Sequence, residues 1–358
     1  MHILYFVTAH GYGHGVRTCA IANAFSSDIK LTFKTALPEK FFSEELKRDF
    51  SYQFSEFDCG CVQLDSMSID TEKTFHTYAR IADKNRNIIQ QESDWCIRNR
   101  VDCIVSDITP FAFQIAKTAN IPSVAVSNFT WYDIYSEYDC KWFKSYLDEI
   151  HEQYLMSDNL FALQPAGEMK YMKNRKDIPV VARTAKNVRN SINKKYNIDN
   201  TKKLGLIYVG NYGINGPDWK KLEQFTEWEF AGVYPLGQKV KNYHLADKVV
   251  FPFQNLSASA DVVISKVGYG ILSECLVNGI PLIYPSRKKF AEYEVLQKAI
   301  RRWGGGHFIP TESFYSLNWA EHLQAVLNSK KPEPVKQNGA EYCAREIEKI
   351  AKLYLRYK

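Results

Sequence analysis

The sequence predicts an α/β protein built from two doubly wound, Rossmann-like domains that face each other across a cleft. Short apolar, β-rich runs alternate with helical patterns from the first residues onward, as in a parallel sheet covered on both faces. A polar, basic stretch interrupts this alternation around residues 166 to 203, and exposed polar connections are where contacts between domains become sparse. After it the same plan begins again. The length of 358 residues agrees, because single cores stop growing at roughly 250 to 300 residues.

In the first half, strand ILYFVTA leads to helix VRTCAIANAF and strand IKLTFKT, and later strand VDCIVSD leads to helix AFQIAKTAN and strand PSVAVSN. The connection (GEMKYMKNRKD, then TAKNVRNSINKKYNIDNTKK) has one apolar interruption, IPVVAR, and its basic runs read as solvated faces. The second half restarts with the strand candidates LGLIYVGNYG, EWEFAGVY, KVVFPF, DVVISKVGYG and IPLIYPS. The domains are therefore expected at residues 1–183 and 184–339. No short repeat, low-complexity tract or heptad array is present.

Composition narrows the class. A hydrophobic fraction of 45% supports globular packing, and a net charge of +6, from 46 basic and 40 acidic residues, suits an anionic ligand. It equally suits weak attraction to nucleic acid or to an acidic membrane surface, although no basic-aromatic nucleic-acid motif is evident. The eight cysteines are scattered, several within apolar runs, and read as reduced. Cys59 and Cys61 lack a second pair at zinc-ligand spacing, so no metal site is expected. The N-terminus shows no secretory leader, and ILYFVTA is too short to span a bilayer, so a cytoplasmic protein is expected, with peripheral membrane contact left open.

In such folds ligands sit beyond the carboxyl ends of strands. The loop TAHGYGHGVRT lies at one, and Gly11, Gly13 and Gly15 there remove the Cβ atoms that would block a ligand from the backbone. The spacing lacks the last glycine of a dinucleotide fingerprint. Histidine is the side chain best suited to accept a proton near neutral pH, and His14, read as directly preceding the helix, is the preferred base. His10 reads either as packing the turn or as an acceptor-side residue. Arg17 in a first helical turn opposes the macrodipole, which a nearby anion would resolve and a side chain directed away from the axis would avoid. Asp107, at the end of another buried strand, can orient His14 or cap the following helix.

In the second half, DVVISKVGYGILSE runs from a strand into Lys266, Gly268, Tyr269 and Gly270 and then into a helix. Amides at such a helix start form an anion site, to which Lys266 adds a full charge. Glu274, about one turn further on, reads as a clamp for ribose hydroxyls or as a solvent-facing carboxylate. The turn from Gly210 to Gly216, which includes Asn211, offers contacts for an outer phosphate. The aromatic run NFTWYDIYSEY suggests an acceptor-side wall where Trp131 and Tyr132 stack on a sugar and Asn128 bonds it; the competing reading is core.

These residues carry a family resemblance. The chain resembles the glycosyltransferase B (GT-B) superfamily, and most nearly the glycosyltransferase-like N-terminal domain of plant-type L-arabinokinases. The segments are YFVTAHGYGHGVR, FDCGCVQLDSMSID, DCIVSDITPFAFQIAKTANIPSVAVSNFTWYDIYSEY and ISKVGYGILSECLVNGIPLIYPSRKKFAEYEVL. More distantly it is similar to the N-acetylglucosaminyltransferase of peptidoglycan synthesis. No sugar-kinase domain like that of the arabinokinases is expected within these 358 residues, so kinase activity is not implied. The resemblance puts His14 at the base, Asp107 at its partner, Gly268 and Ser273 near the donor, and Glu274 on its ribose. RKKFAEYE replaces the family's acid–glutamine motif, leaving Arg287 and Glu292 as donor-sugar candidates. The resemblance also implies that a C-terminal helix at about residues 340–358 crosses back onto the first domain.

The expected activity is inverting, metal-independent sugar transfer from a nucleoside-diphosphate sugar, taken as UDP-linked, to an unidentified acceptor hydroxyl, with no cofactor besides the donor. The alternatives are a nucleotide-sugar hydrolase or epimerase, suggested by a GHxxR turn, and a non-catalytic nucleotide-sugar-binding module.

Overall fold

A computed structural model describes residues 1–64, 68–210, 216–286, 290–336 and 339–357. The first lobe runs β1 (His2–Val7), α1 (Tyr12–Ala22), β2 (Lys30–Thr35), α2 (Glu39–Glu45), β3 (Ser51–Phe54), α3 (Thr71–Arg98), β4 (Cys103–Asp107), α4 (Phe111–Ala119), β5 (Ser123–Ser127), α5 (Trp131–Tyr135), α6 (Lys144–Leu155), β6 (Asn159–Leu163) and β7 (Arg175–Ile178). The second runs α7 (Arg189–Tyr196), β8 (Lys203–Tyr208), β9 (Trp228–Gly232), β10 (Tyr243–Leu245), α8 (Phe253–Ser259), β11 (Val262–Ser265), α9 (Tyr269–Asn278), β12 (Leu282–Pro285), α10 (Ala291–Trp303), β13 (Gly306–Ile309), α11 (Thr311–Ser316) and α12 (Ala320–Asn328), before α13 (Gly339–Tyr357).

The strands form a seven-stranded sheet, ordered β3-β2-β1-β4-β5-β6-β7, and a six-stranded sheet, ordered β10-β9-β8-β11-β12-β13. Pairing is parallel throughout both. Central strands β1, β4 and β5 are buried along their whole length, which explains why their middles are apolar. In each sheet the strand order reverses at the centre, between β1 and β4 and between β8 and β11. Loops leaving such a switch point splay to opposite faces and open a crevice.

Two element assignments differ from the expectations. KVVFPF is not a strand: β10 lies earlier, at Tyr243–Leu245, and Val249 and Val250 are 90% and 53% exposed. The polar run RKDI is β7, a strand paired only with β6. An edge strand half-open to water tolerates polar side chains, so it carries little apolar signal.

The chain crosses between lobes after β7 and returns before α13, and the crossings touch: the Gly339 N–H donates to the Val180 carbonyl at 3.0 Å. Helix α13 packs on α1, β4 and β7 of the first lobe. Cys343, Ala344, Ile347 and Ala351 are buried there, and Glu348 accepts from the Ser26 amide and hydroxyl at 2.8 and 3.0 Å. Among the described residues no helix is long and apolar enough to cross a membrane.

Candidate active site

The loops from both switch points meet in one cleft of about 680 Å³. From the first lobe, β1 ends in a turn at Gly11, whose φ of +85° is readily adopted only by glycine. This starts α1 at Tyr12, so His14 is the helix's third residue rather than the residue before it. Among the described residues no side chain caps α1 and no acidic residue occupies its first turn, so its leading amides lack intrahelical partners, and Tyr12, Gly13 and His14 line the cleft. A Cβ at Gly13 would meet nothing within 4 Å. Gly15 differs from the expectation: a Cβ there would lie 2.5 Å from the Phe41 ring, so packing rather than ligand access requires this glycine.

His14 lines the cleft, and its Nδ1 lies 2.8 Å from Asp107 Oδ1. Asp107 is reached through the register of β1 against β4, in which Val7 pairs with Asp107. With the proton on Nδ1 donated to this carboxylate, Nε2 is left as the accepting nitrogen. Arg17 Nη2 approaches the same Nδ1 at 3.0 Å, donor against donor, so its productive bonds are to Asp107: Nε to Oδ2 at 2.6 Å and Nη2 to Oδ1 at 2.5 Å. Burial opposes ionisation of Asp107, but Arg17 and His14 outweigh it and hold the carboxyl below its ordinary value. The anion that Arg17 needs is therefore Asp107, not a diphosphate.

This network crosses between lobes. Arg17 Nη1 donates to Asn128 Oδ1 at 2.5 Å, and Asn128 Nδ2 donates to Glu292 Oε1 at 2.9 Å. Glu292 lines the cleft from the first turn of α10. Asn128 is thus committed to two protein partners rather than to an acceptor. Trp131 is a second correction: it is 0% exposed, packed edge-on against His10 at 5.1 Å and Phe129 at 5.3 Å, and is core instead of a sugar platform. Tyr132 packs on Tyr171 and His151. His10 lines the cleft, and its Nδ1 accepts from the Cys61 amide at 3.0 Å.

From the second lobe, β11 ends at Ser265, directly before Lys266, and α9 begins at Tyr269 with Gly268 as an N-cap that has no side-chain bond. Lys266, Gly268, Tyr269 and Gly270 all line the cleft. The two helix starts face each other, since a Cβ at Gly270 would sit 3.9 Å from Gly13 Cα. Tyr269 also fastens α9 to the first lobe: its hydroxyl accepts from Val181 N–H at 3.0 Å and donates to the Gln164 carbonyl at 3.3 Å. Ser273 departs from its expected place, because it is buried with its hydroxyl donating to the Gly270 carbonyl at 3.0 Å, away from the cleft lining. Gly210 lines the cleft; Asn211 and Arg287 lie outside the described residues.

Glu274 lines the cleft but is not bare. Arg183 Nε and Nη2 donate to its Oε1 at 2.8 and 2.6 Å, while among the described residues Oε2 has no hydrogen-bond partner. Burial pushes this carboxyl up and Arg183 opposes the shift. Sequence reasoning missed Arg183, which lies between two basic runs read as solvated faces. It also missed an aromatic wall in the second lobe, Tyr208, Tyr234 and Phe253. The one available signal for Arg183 was its place at the end of the apolar interruption IPVVAR. Among the described residues no group of three or more His, Cys, Asp or Glu is placed to hold a metal ion.

Two Rossmann-like lobes with a shared cleft at both switch points define a protein of the GT-B fold. In sequence the chain is similar to the L-arabinokinase of Arabidopsis thaliana, 26% identical over 97% of this chain, and it spans 34% of that relative's length. No family model matches. Among solved structures it is similar to a UDP-glucosyltransferase from Polygonum tinctorium, with a TM-score of 0.63 and 10% identity over 99% of this chain and 98% of that one. It is also similar to a Listeria monocytogenes chain assigned as a UDP-N-acetylglucosamine 2-epimerase, with a TM-score of 0.59 and 12% identity over 100% and 97%. Both likenesses carry the fold alone.

Proposed function

We infer that the protein is an inverting, metal-independent glycosyltransferase that moves a sugar from a nucleoside-diphosphate sugar, UDP-linked, to an acceptor hydroxyl. The observation that carries this reading is that His14, backed by Asp107 at 2.8 Å, faces the same cleft as the uncapped start of α9 and Lys266. The resemblances to UDP-sugar enzymes support the donor class.

In this mechanism the second lobe holds the diphosphate against the amides at Gly268–Gly270 and Lys266, with ribose at Glu274 and the donor sugar near Glu292. Such preorganised donors are worth most at the point where negative charge develops. His14 Nε2 takes the proton of the acceptor hydroxyl, and that oxygen attacks the anomeric carbon. The bond from that carbon to the diphosphate breaks, its electron pair passing to the leaving phosphate oxygen, where Lys266 and the amides offset the charge. Asp107 holds the imidazole in place and stabilises its protonated form.

Incubation with a panel of UDP-, GDP- and dTDP-sugars, with and without candidate acceptors, tests the reading. Acceptor-dependent release of nucleoside diphosphate, with glycoside formed, supports it. Release or epimerisation without acceptor supports a hydrolase or epimerase, and binding without turnover a sensor module.

A further inference from the structure

Arg183 lies in the crossing between lobes and lines the cleft. Besides its two bonds to Glu274 Oε1, its Nη1 donates to Glu45 Oε1 at 2.9 Å, at the end of α2 in the first lobe. One guanidinium therefore spans both lobes and occupies one oxygen of Glu274. Among the described residues the other, Oε2, is buried without a hydrogen-bond partner, on a residue that is 2% exposed. A buried carboxylate oxygen without a hydrogen bond is costly, and a ligand in the cleft can supply donors.

We propose that Arg183 is a specificity-determining residue: by holding Glu274 through Oε1, it leaves one acceptor oxygen for the adjacent 2′- and 3′-hydroxyls of a ribonucleotide, and against a 2′-deoxyribonucleotide. This rests on the reading that the second lobe holds a nucleoside diphosphate. A carboxylate oxygen accepts about two hydrogen bonds, so two neighbouring hydroxyls satisfy Oε2, whereas a deoxy sugar leaves one site unfilled. Each such bond to a buried charge counts heavily. Without the guanidinium, burial draws Glu274 toward its neutral form. A neutral carboxyl carries its own proton, is free to turn, and no longer distinguishes the two sugars.

Titration calorimetry with UDP, GDP and their 2′-deoxy counterparts tests this on wild type, R183K and R183Q, with thermal melts to confirm folding. The wild type is expected to bind the preferred ribonucleotide roughly tenfold or more tightly than its deoxy partner. Both variants are expected to lose most of that ratio, because a lysine ammonium is a single point of charge without the planar fork. A merely structural arginine would weaken both ligands together and leave the ratio intact, which overturns the inference. So does equal binding of the pair by the wild type, a result read without any substitution. Failure of the wild type to bind any of the nucleotides overturns the nucleotide reading itself, and the inference with it.

Discussion

Asn128 of the first lobe and Glu292 of the second meet in a buried hydrogen bond of 2.9 Å, 164 residues apart in sequence. Because Arg17 fixes the Asn128 carbonyl oxygen, the amide presents its NH₂ group to Glu292 and its orientation is determined. The bond links the network around His14 to the start of α10, and so ties His14 to the second-lobe side of the cleft.

Replacing Asn128 separates this role from bulk. N128A is expected to cost about 1–3 kcal/mol, the value for leaving buried polar partners unpaired, as read by urea unfolding. N128D keeps a partner for Arg17 but sets a second carboxylate against Glu292, and is expected to open the lobes, seen as a larger radius of gyration by X-ray scattering. An unchanged radius in N128D would separate the contact from lobe closure.

Removing the imidazole should stop chemistry without emptying the cleft. H14A is expected to lower transfer by about 10²–10⁴-fold, the range for general-base loss, while nucleoside diphosphate affinity stays within a few-fold. Turnover at the wild-type rate would remove the base assignment.

Acid sensitivity follows from Asp107, whose folded-state pKa lies below its reference value of 3.8. Its stabilisation is complete above that reference value and is lost as pH falls below about 4 toward the depressed folded value. Asp58 and Glu274 act in the opposite sense: burial raises both above their references of 3.8 and 4.5, so their ionisation costs stability as pH rises through that region. D107N is expected to flatten the loss below pH 4. At neutral pH it should cost about 3–5 kcal/mol, because it leaves Arg17 buried and unpaired. Urea unfolding across pH measures both; an unaltered acid limb in D107N would locate the sensitivity elsewhere.

The glycines of the first turn divide by environment. G15A drives a methyl into Phe41 and Leu37 and is expected to cost about 1–3 kcal/mol through overpacking. G13A points into open space, so its melting temperature should hold or rise, helped by up to about 1 kcal/mol of helix propensity. Equal destabilisation of the two variants would contradict the separation.

Much of this architecture was legible because buried parallel strands announce themselves: β1, β4 and β11 are nearly pure apolar runs that end at loops carrying histidine, aspartate and lysine. Edge strand β7 escaped notice because half-exposed positions admit Arg and Lys, and Val249 and Val250 mimicked a strand while sitting on an exposed turn. At the site, one-dimensional spacing pointed to the His14 and Gly268–Gly270 loops, since each follows its strand directly. It could not show that Arg17 is satisfied by Asp107, 90 residues away, nor that Arg183 reaches Glu274. Trp131 was misplaced for a related reason: an aromatic after a strand looks the same in sequence whether it faces ligand or core.

The most direct measurement is a crystal structure with UDP bound. Density for the diphosphate against the Gly268–Gly270 backbone and Lys266, with ribose hydroxyls on Glu274 Oε2 and His14 Nε2 open toward the sugar side, is the expected result. A diphosphate seated on the Gly11–Gly13 turn of the first lobe, or His14 turned out of the cleft, would contradict it.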